Sequence, residues 1–376
     1  MAEFYEFFAG GGMARAGLGK GWTCRFANDF DPKKAASYAA NWGNDHLVVG
    51  DVAAVALNNL PGHADLAWAS FPCQDLSLAG SRAGLKGSRS GTFWSFWSLM
   101  QGLSAARRGP RLIVLENVYG LLTSNGGKDF SELGRAITEL GYQFGAVLMD
   151  AVHFVPQSRP RLFVIAVASD VFIPPGLIRQ DPSALWHPRS LVEAKFKLSK
   201  PVQDRWVWWN IPAPPIREAV FADLIEDAPS GVQWHTKEET QALLDMMTLV
   251  NLEKVRAAKK SGERRVGALY RRTRDGVQRA EVRFDDVAGC LRTPGGGSSR
   301  QSILVVEGKR VRSRLLSPRE AARLMGLEDT YILPAKYNDA YHLMGDGLAV
   351  PVIAHLSRSL LEPIANARVE GAELAA

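Results

Sequence analysis

Five short apolar runs punctuate the first half of the chain: Glu3–Phe8, Thr23–Asn28, Ala64–Ser70, Arg111–Leu115 and Leu162–Ala168, each bounded by turn or polar residues. Such runs predict strands, and helical spacing fills the intervals between them. Their alternation predicts an α/β fold on a doubly wound, mainly parallel, Rossmann-like sheet. After Ser169 the texture turns Pro-rich, Trp-rich and basic, with Pro174-Pro175, Pro214-Pro215 and Trp206-Val-Trp-Trp209, which predicts a second, smaller, irregular domain. The expected division is 1–171, 172–303 and a return segment 304–376. In that last part Ser317-Pro-Arg-Glu320 combines an N-cap Ser, Pro at the first helical position and Glu at the third, a capping box opening the helix Arg319–Met325. Tyr341–Leu361 reads as a turn and an amphipathic helix that returns to the first domain. The Trp cluster is expected to fill a core.

Composition narrows the picture only slightly. The 376 residues have ordinary apolar and charged fractions, as expected of a folded globular chain. No uninterrupted apolar stretch reaches the roughly 18 residues of a membrane span, and the N-terminus lacks a signal-peptide pattern, so a cytoplasmic protein without membrane contact is expected. Cys24, Cys73 and Cys290 are scattered without metal-ligand spacing, which argues against both a disulfide framework and a metal site and leaves room for a reactive thiol. Charge is more telling. The window Glu253–Arg323 holds 19 Lys and Arg against 8 Asp and Glu, an excess of +11 in a chain of net charge +6. Such asymmetry points that region at a polyanion, or makes it a solvated basic surface.

The first run leads into Ala9-Gly-Gly-Gly12 and then into helical sequence, so backbone amides gather at a helix start where a nucleotide-like cofactor sits. Asp29 follows Gly10 by 19 residues at the end of the second run, the place from which a carboxylate grips ribose hydroxyls. A dinucleotide fingerprint through Gly10 and Gly12 needs glycine at position 15, and Arg15 stands there. A nucleoside lacking pyrophosphate, such as S-adenosylmethionine, needs the turn and the acid but not that glycine. Asp51 either accepts from an adenine amino group or is a turn residue.

The third run ends in Phe71-Pro-Cys-Gln-Asp-Leu-Ser77, which brings Cys73 to the carboxyl edge of the sheet, with Pro72 fixing the approach. The fourth ends in Glu116-Asn-Val118, and Gln157-Ser-Arg-Pro-Arg161 precedes the fifth. Cysteine, glutamate and arginine at one mouth suggest a definite chemistry. A thiolate added to carbon 6 of cytosine makes carbon 5 nucleophilic enough to attack a methyl sulfonium. Glu116 then hydrogen-bonds ring nitrogen 3 and the exocyclic amine, Arg161 donates to the carbonyl at position 2, and Arg159 either grips phosphate or pairs at the surface.

These residues resemble the DNA cytosine-5 methyltransferase family, in order along nearly the whole catalytic portion. Phe8-Ala-Gly-Gly-Gly12 is similar to its cofactor motif and Phe71–Ser77 to its nucleophile motif, while Glu116-Asn-Val118 and Gln157-x-Arg-x-Arg161 match its base-binding motifs. Arg314–Gly326 and Gly345–Val352 resemble its last two. The resemblance implies S-adenosylmethionine as cofactor, held by Phe8, Gly10, Gly12, Asp29, Phe30, Asp51, Pro72 and Asp346, with Phe30 stacked on adenine. It also implies that Ser77–Phe93, carrying Arg82 and Arg89, is the loop closing over a flipped base. Double-stranded DNA is then the partner of a monomeric enzyme, which serves either restriction–modification, beside a cognate restriction endonuclease acting on the same sequence, or solitary DNA modification. Asp346 departs from the family's usual Asn, and Ser158 from a common basic residue.

A base within the duplex cannot offer carbons 5 and 6 to two reagents at once, so it must be extruded. The second domain corresponds by position to the family's target-recognition domain. Arg292, Gly296 and Arg300 in Leu291–Arg300, and Arg272 and Arg274 in Tyr270–Arg274, are its candidate DNA contacts. Three rivals are a tRNA cytosine-5 methyltransferase, a non-catalytic DNA-binding regulator and an NAD-dependent enzyme. The long recognition region, the presence of Cys73 and Glu116, and Arg15 argue against them in turn.

Overall fold

A computed structural model describes residues 1–72, 91–274, 276–293 and 299–367. Its central sheet contains β1 (Ala2–Phe7), β2 (Trp22–Asp29), β3 (Leu47–Val49), β4 (Leu66–Ala69), β5 (Leu112–Val118), β6 (Tyr142–Asp150) and β7 (Pro160–Ala168), in the order β3-β2-β1-β4-β5-β7-β6. The pairs β1–β2, β2–β3, β1–β4 and β4–β5 are parallel, whereas β7 runs antiparallel to β5. All five sequence-expected strands are present, with ends shifted by a few residues. β5 is longer than expected and carries Glu116 and Asn117 within the strand. The short edge strand β3 and strand β6 escaped the reading. Leu47-Val-Val49 is too brief to stand out, and Gly145 interrupts the apolar run of β6.

Sheet strands buried on both faces read as continuous apolar sequence, and all four residues of β4 are buried. One face packs on α3 (Gly91–Ala105) and α4 (Lys128–Glu139), where Phe7, Phe96, Met100, Ile113, Leu133 and Val164 belong to one core cluster. Elsewhere on the sheet, α1 (Met13–Leu18) follows the glycine turn, and α2 (Pro32–Trp42) opens on Asp31, whose carboxylate accepts from Lys33 N–H, with Pro32 in its first turn. Two residues near the end of the chain contact β2 and the residue before β5. Trp22 Nε1 donates to Ser357 Oγ (2.9 Å), and Arg111 donates to the carbonyl of Ala365 (2.6 Å).

The chain divides into two compact units: residues 1–149, 160–214 and 352–376, and residues 150–159 and 215–351. The stretch 172–214, assigned from its texture to the second domain, groups with the first unit and holds β8 (Ile178–Arg179) paired with β9 (Trp208–Trp209), α5 (Arg189–Phe196) and α6 (Lys200–Gln203). Its tryptophans explain why: Trp206, Trp208 and Trp209 are buried, the first two in the same core cluster as Phe144.

The second unit is more regular than expected. An antiparallel sheet of order β11-β10-β12-β13 joins β10 (Arg264–Arg274), β11 (Val277–Arg283), β12 (Ser302–Glu307) and β13 (Arg310–Leu315). Helices α7 (Lys237–Asp245) and α8 (Leu249–Lys260) complete its core through Leu244, Met247, Val255, Leu269, Val282 and Leu304. The arginines that make β10 and β11 look irregular flank the buried residues, Val266, Ala268 and Leu269 in β10 and Ala280 and Val282 in β11. The capping box is as read: Ser317 Oγ accepts from Glu320 N–H at the start of α9 (Pro318–Leu324). Its Glu320 does more, because it forms a fully buried ion pair with Arg314 through contacts of 2.6 and 2.8 Å. One stretch, Tyr337–Asn366, is apolar and long enough to cross a membrane. It is broken after α10 (Tyr337–Asp346), and 61% of its most apolar window is buried inside the protein.

Candidate active site

The sheet reverses its order of growth between β1 and β4, and such a switch point opens a crevice outside the carboxyl ends of the strands. At the end of β1 the chain bends through Phe8, whose φ of 58° is unusual for a bulky side chain and marks local strain. Gly10 and Gly12 follow with φ of 56° and 77°. A Cβ on Gly12 would lie 2.3 Å from Trp42 Nε1, whereas above Gly10 there is open space. The turn is therefore tight against the protein on one side and accessible on the other.

Asp29, at the end of β2, secures this turn. Its Oδ2 accepts from Gly10 N–H (2.7 Å) and its Oδ1 from Asp31 N–H (2.8 Å), while burial raises its pKa above the usual value. The next side chain, Phe30, is 73% exposed. An exposed ring beside a buried carboxylate and an open glycine turn suits a nucleoside: a face for the base and acceptors for ribose. Asp51 has a local duty, capping the turn Val52–Ala54 by accepting from Ala53 N–H (2.9 Å), which corresponds to the turn-residue alternative.

Beneath the turn lies a polar cluster that the sequence reading did not anticipate. Glu6 of β1 is buried, with Oε1 accepting from Arg15 N–H (3.3 Å) and Oε2 enclosed without a partner among the described residues. Burial pushes its pKa up to about 8, against the lowering effect of Arg15. The Arg15 guanidinium donates to Tyr38 Oη (3.1 Å) and His46 Nε2 (2.5 Å) and lies over the Trp42 ring. Desolvation, reinforced by Arg15, lowers the His46 pKa, and burial pushes the Cys24 thiol up to about 12. Cys24 is thus held as an unreactive thiol. The available signal was Glu6, set between the aromatic residues Tyr5 and Phe7 in the interior of β1.

On the other side of β4, Glu116 and Arg161 form an ion pair. Arg161 Nε lies 3.2 Å from Glu116 Oε1, both side chains being largely buried. The register explains how they meet: Val118 of β5 faces Arg161 of β7, and Glu116 is two residues back on the same face. Because β7 is antiparallel, its first residues reach the edge where the parallel strands end. Asn117 adds a link, donating from Nδ2 to the Phe71 carbonyl (3.4 Å). It thereby ties the Phe71-Pro72 segment to β5, with Pro72 exposed. Cys73, Ser77, Arg82, Arg89 and Gly296 lie outside the described residues, as does the Arg274 side chain.

Arg159 does not present itself to phosphate. It is buried, donating to the carbonyls of Leu291 (2.9 Å), Gly345 (2.8 Å) and Gly347 (2.6 Å) within the second unit. Arg300 is also engaged, donating to Asn338 Oδ1 (2.6 Å) with its guanidinium over the Tyr337 ring. Arg292 and Arg272 are exposed, the latter stacked on Tyr270. Asp346, expected beside the cofactor, accepts from the Thr293 hydroxyl.

The sheet order and the glycine-turn site are those of an α/β methyltransferase. The family model of the C-5 cytosine-specific DNA methylases matches residues 2–362, so the chain belongs to that family and is a DNA cytosine methyltransferase. Similar proteins include the Type II methyltransferase M.HpaII of Haemophilus parainfluenzae, 24% identical over 383 residues that cover 96% of this chain and 90% of that one. Another is M1.ScrFI of Lactococcus lactis subsp. cremoris, 24% identical over 369 residues, 97% of this chain and 79% of that one. Among solved structures, the S. pombe Dnmt2 methyltransferase has a TM-score of 0.61 at 16% identity, covering 96% of this chain and 99% of that one, a likeness of fold. Membership implies a methyl donor of the S-adenosylmethionine type and DNA as substrate.

Proposed function

We propose that this enzyme methylates carbon 5 of a cytosine extruded from duplex DNA, within a specific sequence, with Cys73 as the nucleophile. The observation that carries the reading is the Glu116–Arg161 pair at 3.2 Å, at the carboxyl edge of the strands next to β4, whose continuation bears Cys73. Glu116, sharing a proton with cytosine nitrogen 3 and accepting from the exocyclic amine, stabilises charge on the ring as the Cys73 sulfur bonds to carbon 6. Arg161 orients Glu116 and donates to the carbonyl at position 2. When bound, S-adenosylmethionine supplies an electrophilic methyl group to carbon 5. Loss of the carbon 5 proton to a base then lets the carbon 6–sulfur bond break, returning the Cys73 thiolate. Asp29, Gly10, Gly12 and Phe30 hold the donor, with Phe8, Asp51 and Pro72 around them.

Arg292, Arg272 and Arg274 supply DNA contacts in this reading, and the basic excess of the Glu253–Arg323 window supplies phosphate affinity. The enzyme acts as a monomer, and the Type II relatives suggest a modification role alongside an endonuclease of the same specificity.

Covalent trapping tests the proposal. Wild-type protein incubated with S-adenosylmethionine and duplex DNA of varied sequence containing 5-fluorocytosine should form a stable adduct, because fluorine blocks release, and Cys73→Ser should form none. Folded wild-type protein that binds the cofactor yet yields no adduct, or that methylates only tRNA, overturns it.

A further inference from the structure

Asp346 closes α10 at the point where the chain segment Leu291–Thr293 crosses it. Thr293 Oγ1 donates to Asp346 Oδ1 and lies 3.5 Å from the His342 carbonyl. The crossing is close: a Cβ on Gly345 would come within 2.6 Å of Thr293 N and 2.9 Å of the Arg292 carbonyl carbon. From beneath, the buried Arg159 guanidinium joins the same two elements through the carbonyls of Leu291, Gly345 and Gly347. Gln157 completes the grip, accepting from Leu291 N–H (3.1 Å) and donating to the Leu324 carbonyl (2.8 Å). Leu291 and Thr293 are therefore fixed on either side of Arg292, whose own side chain is exposed.

We propose that Asp346 is a positioning residue for DNA recognition, latching Thr293 so that Arg292 is presented to the duplex in one geometry. The inference rests on the DNA methyltransferase reading above. Its physical content is the ordering of the backbone that carries Arg292 before binding, which lowers the entropy lost when the guanidinium meets phosphate or a guanine edge. A hydroxyl held by a carboxylate is a charge-assisted contact, so losing it should be visible in affinity.

The test measures two affinities on full-length protein: S-adenosylmethionine for the DNA-free enzyme, by calorimetry, and cognate duplex for the S-adenosylhomocysteine-loaded enzyme, by fluorescence anisotropy. Asp346→Ala and Thr293→Val are each expected to weaken duplex binding about fivefold, roughly the worth of one such hydrogen bond, while cofactor affinity stays within about twofold. The double variant should be no weaker than either single one, as for two halves of one contact. Asp346→Asn, which keeps an oxygen acceptor for Thr293, should recover duplex affinity. In protein that already carries Arg292→Ala, adding Thr293→Val should weaken duplex binding no further.

If Asp346→Ala weakens cofactor binding and leaves duplex affinity unchanged, Asp346 is a cofactor residue and the proposal is overturned. Additive effects of the two single changes overturn it as well. Failure of the methyltransferase reading is separately visible: wild-type enzyme would then transfer no methyl group to any duplex, and the latch would fall with it.

Discussion

Replacing Glu6 by glutamine should make the protein more stable at neutral pH, by an amount that grows with pH. In the folded protein burial pushes the carboxyl pKa from 4.5 up to about 8, so Glu6 keeps its proton where an unfolded chain has lost it. Between those two values the folded state binds one more proton than the unfolded state, and stability falls as pH rises. Each pH unit is worth about 1.4 kcal/mol, and three and a half units amount to about 5 kcal/mol at most. Below pH 4.5 both states are protonated and the term vanishes. Glutamine has nearly the same shape, keeps an acceptor for Arg15 N–H, and carries no charge at any pH. Urea unfolding of wild type and Glu6→Gln at intervals from pH 4.5 to 8.5 reads the difference directly, since every other titrating group is common to both. The curves should coincide at the acid end and separate by several kcal/mol at pH 8. Parallel curves across the whole range would mean that Glu6 is ionised in the folded state, and the picture of an enclosed, protonated acid beneath the glycine turn would be wrong.

Other outcomes follow from the same geometry. Glu320→Ala strands the buried Arg314 guanidinium and should cost about 3–5 kcal/mol in urea unfolding, whereas an exposed pair such as Arg189–Glu193 should cost under about 1 kcal/mol. Gly12→Ala places a methyl group against Trp42 and forces φ of 77° on an L residue, so cofactor affinity measured by calorimetry should drop at least about tenfold. Glu116→Gln should lower single-turnover methyl transfer about 10²–10³-fold while leaving cofactor affinity in place, and an undiminished rate would exclude Glu116 from the chemistry.

Much of this protein was legible in its sequence because the relevant forces are local. The strand β4 announces itself as an apolar run, the start of α9 is written in four residues, and the turn Ala9–Gly12 requires backbone angles that glycine adopts freely. Chemistry-bearing residues could be placed at the carboxyl edge for the same reason, since strand ends follow from local pattern. What the sequence could not determine was which side chain meets which. Arg159 and Arg161 are two residues apart in one motif. Their backbone settings separate them: Arg161 lies within β7 and meets Glu116, whereas Arg159 precedes the strand and donates to carbonyls 132 to 188 residues further along the chain. Asp346 meets Thr293 across 53 residues, and Arg15, read only as an obstacle to a fingerprint, organises a buried cluster with Glu6, Tyr38 and His46. Local sequence determines conformation, but the partner of a buried polar group is decided by whatever the folded chain brings within about 3 Å of it, and a group cut off from water must take that partner or change its charge.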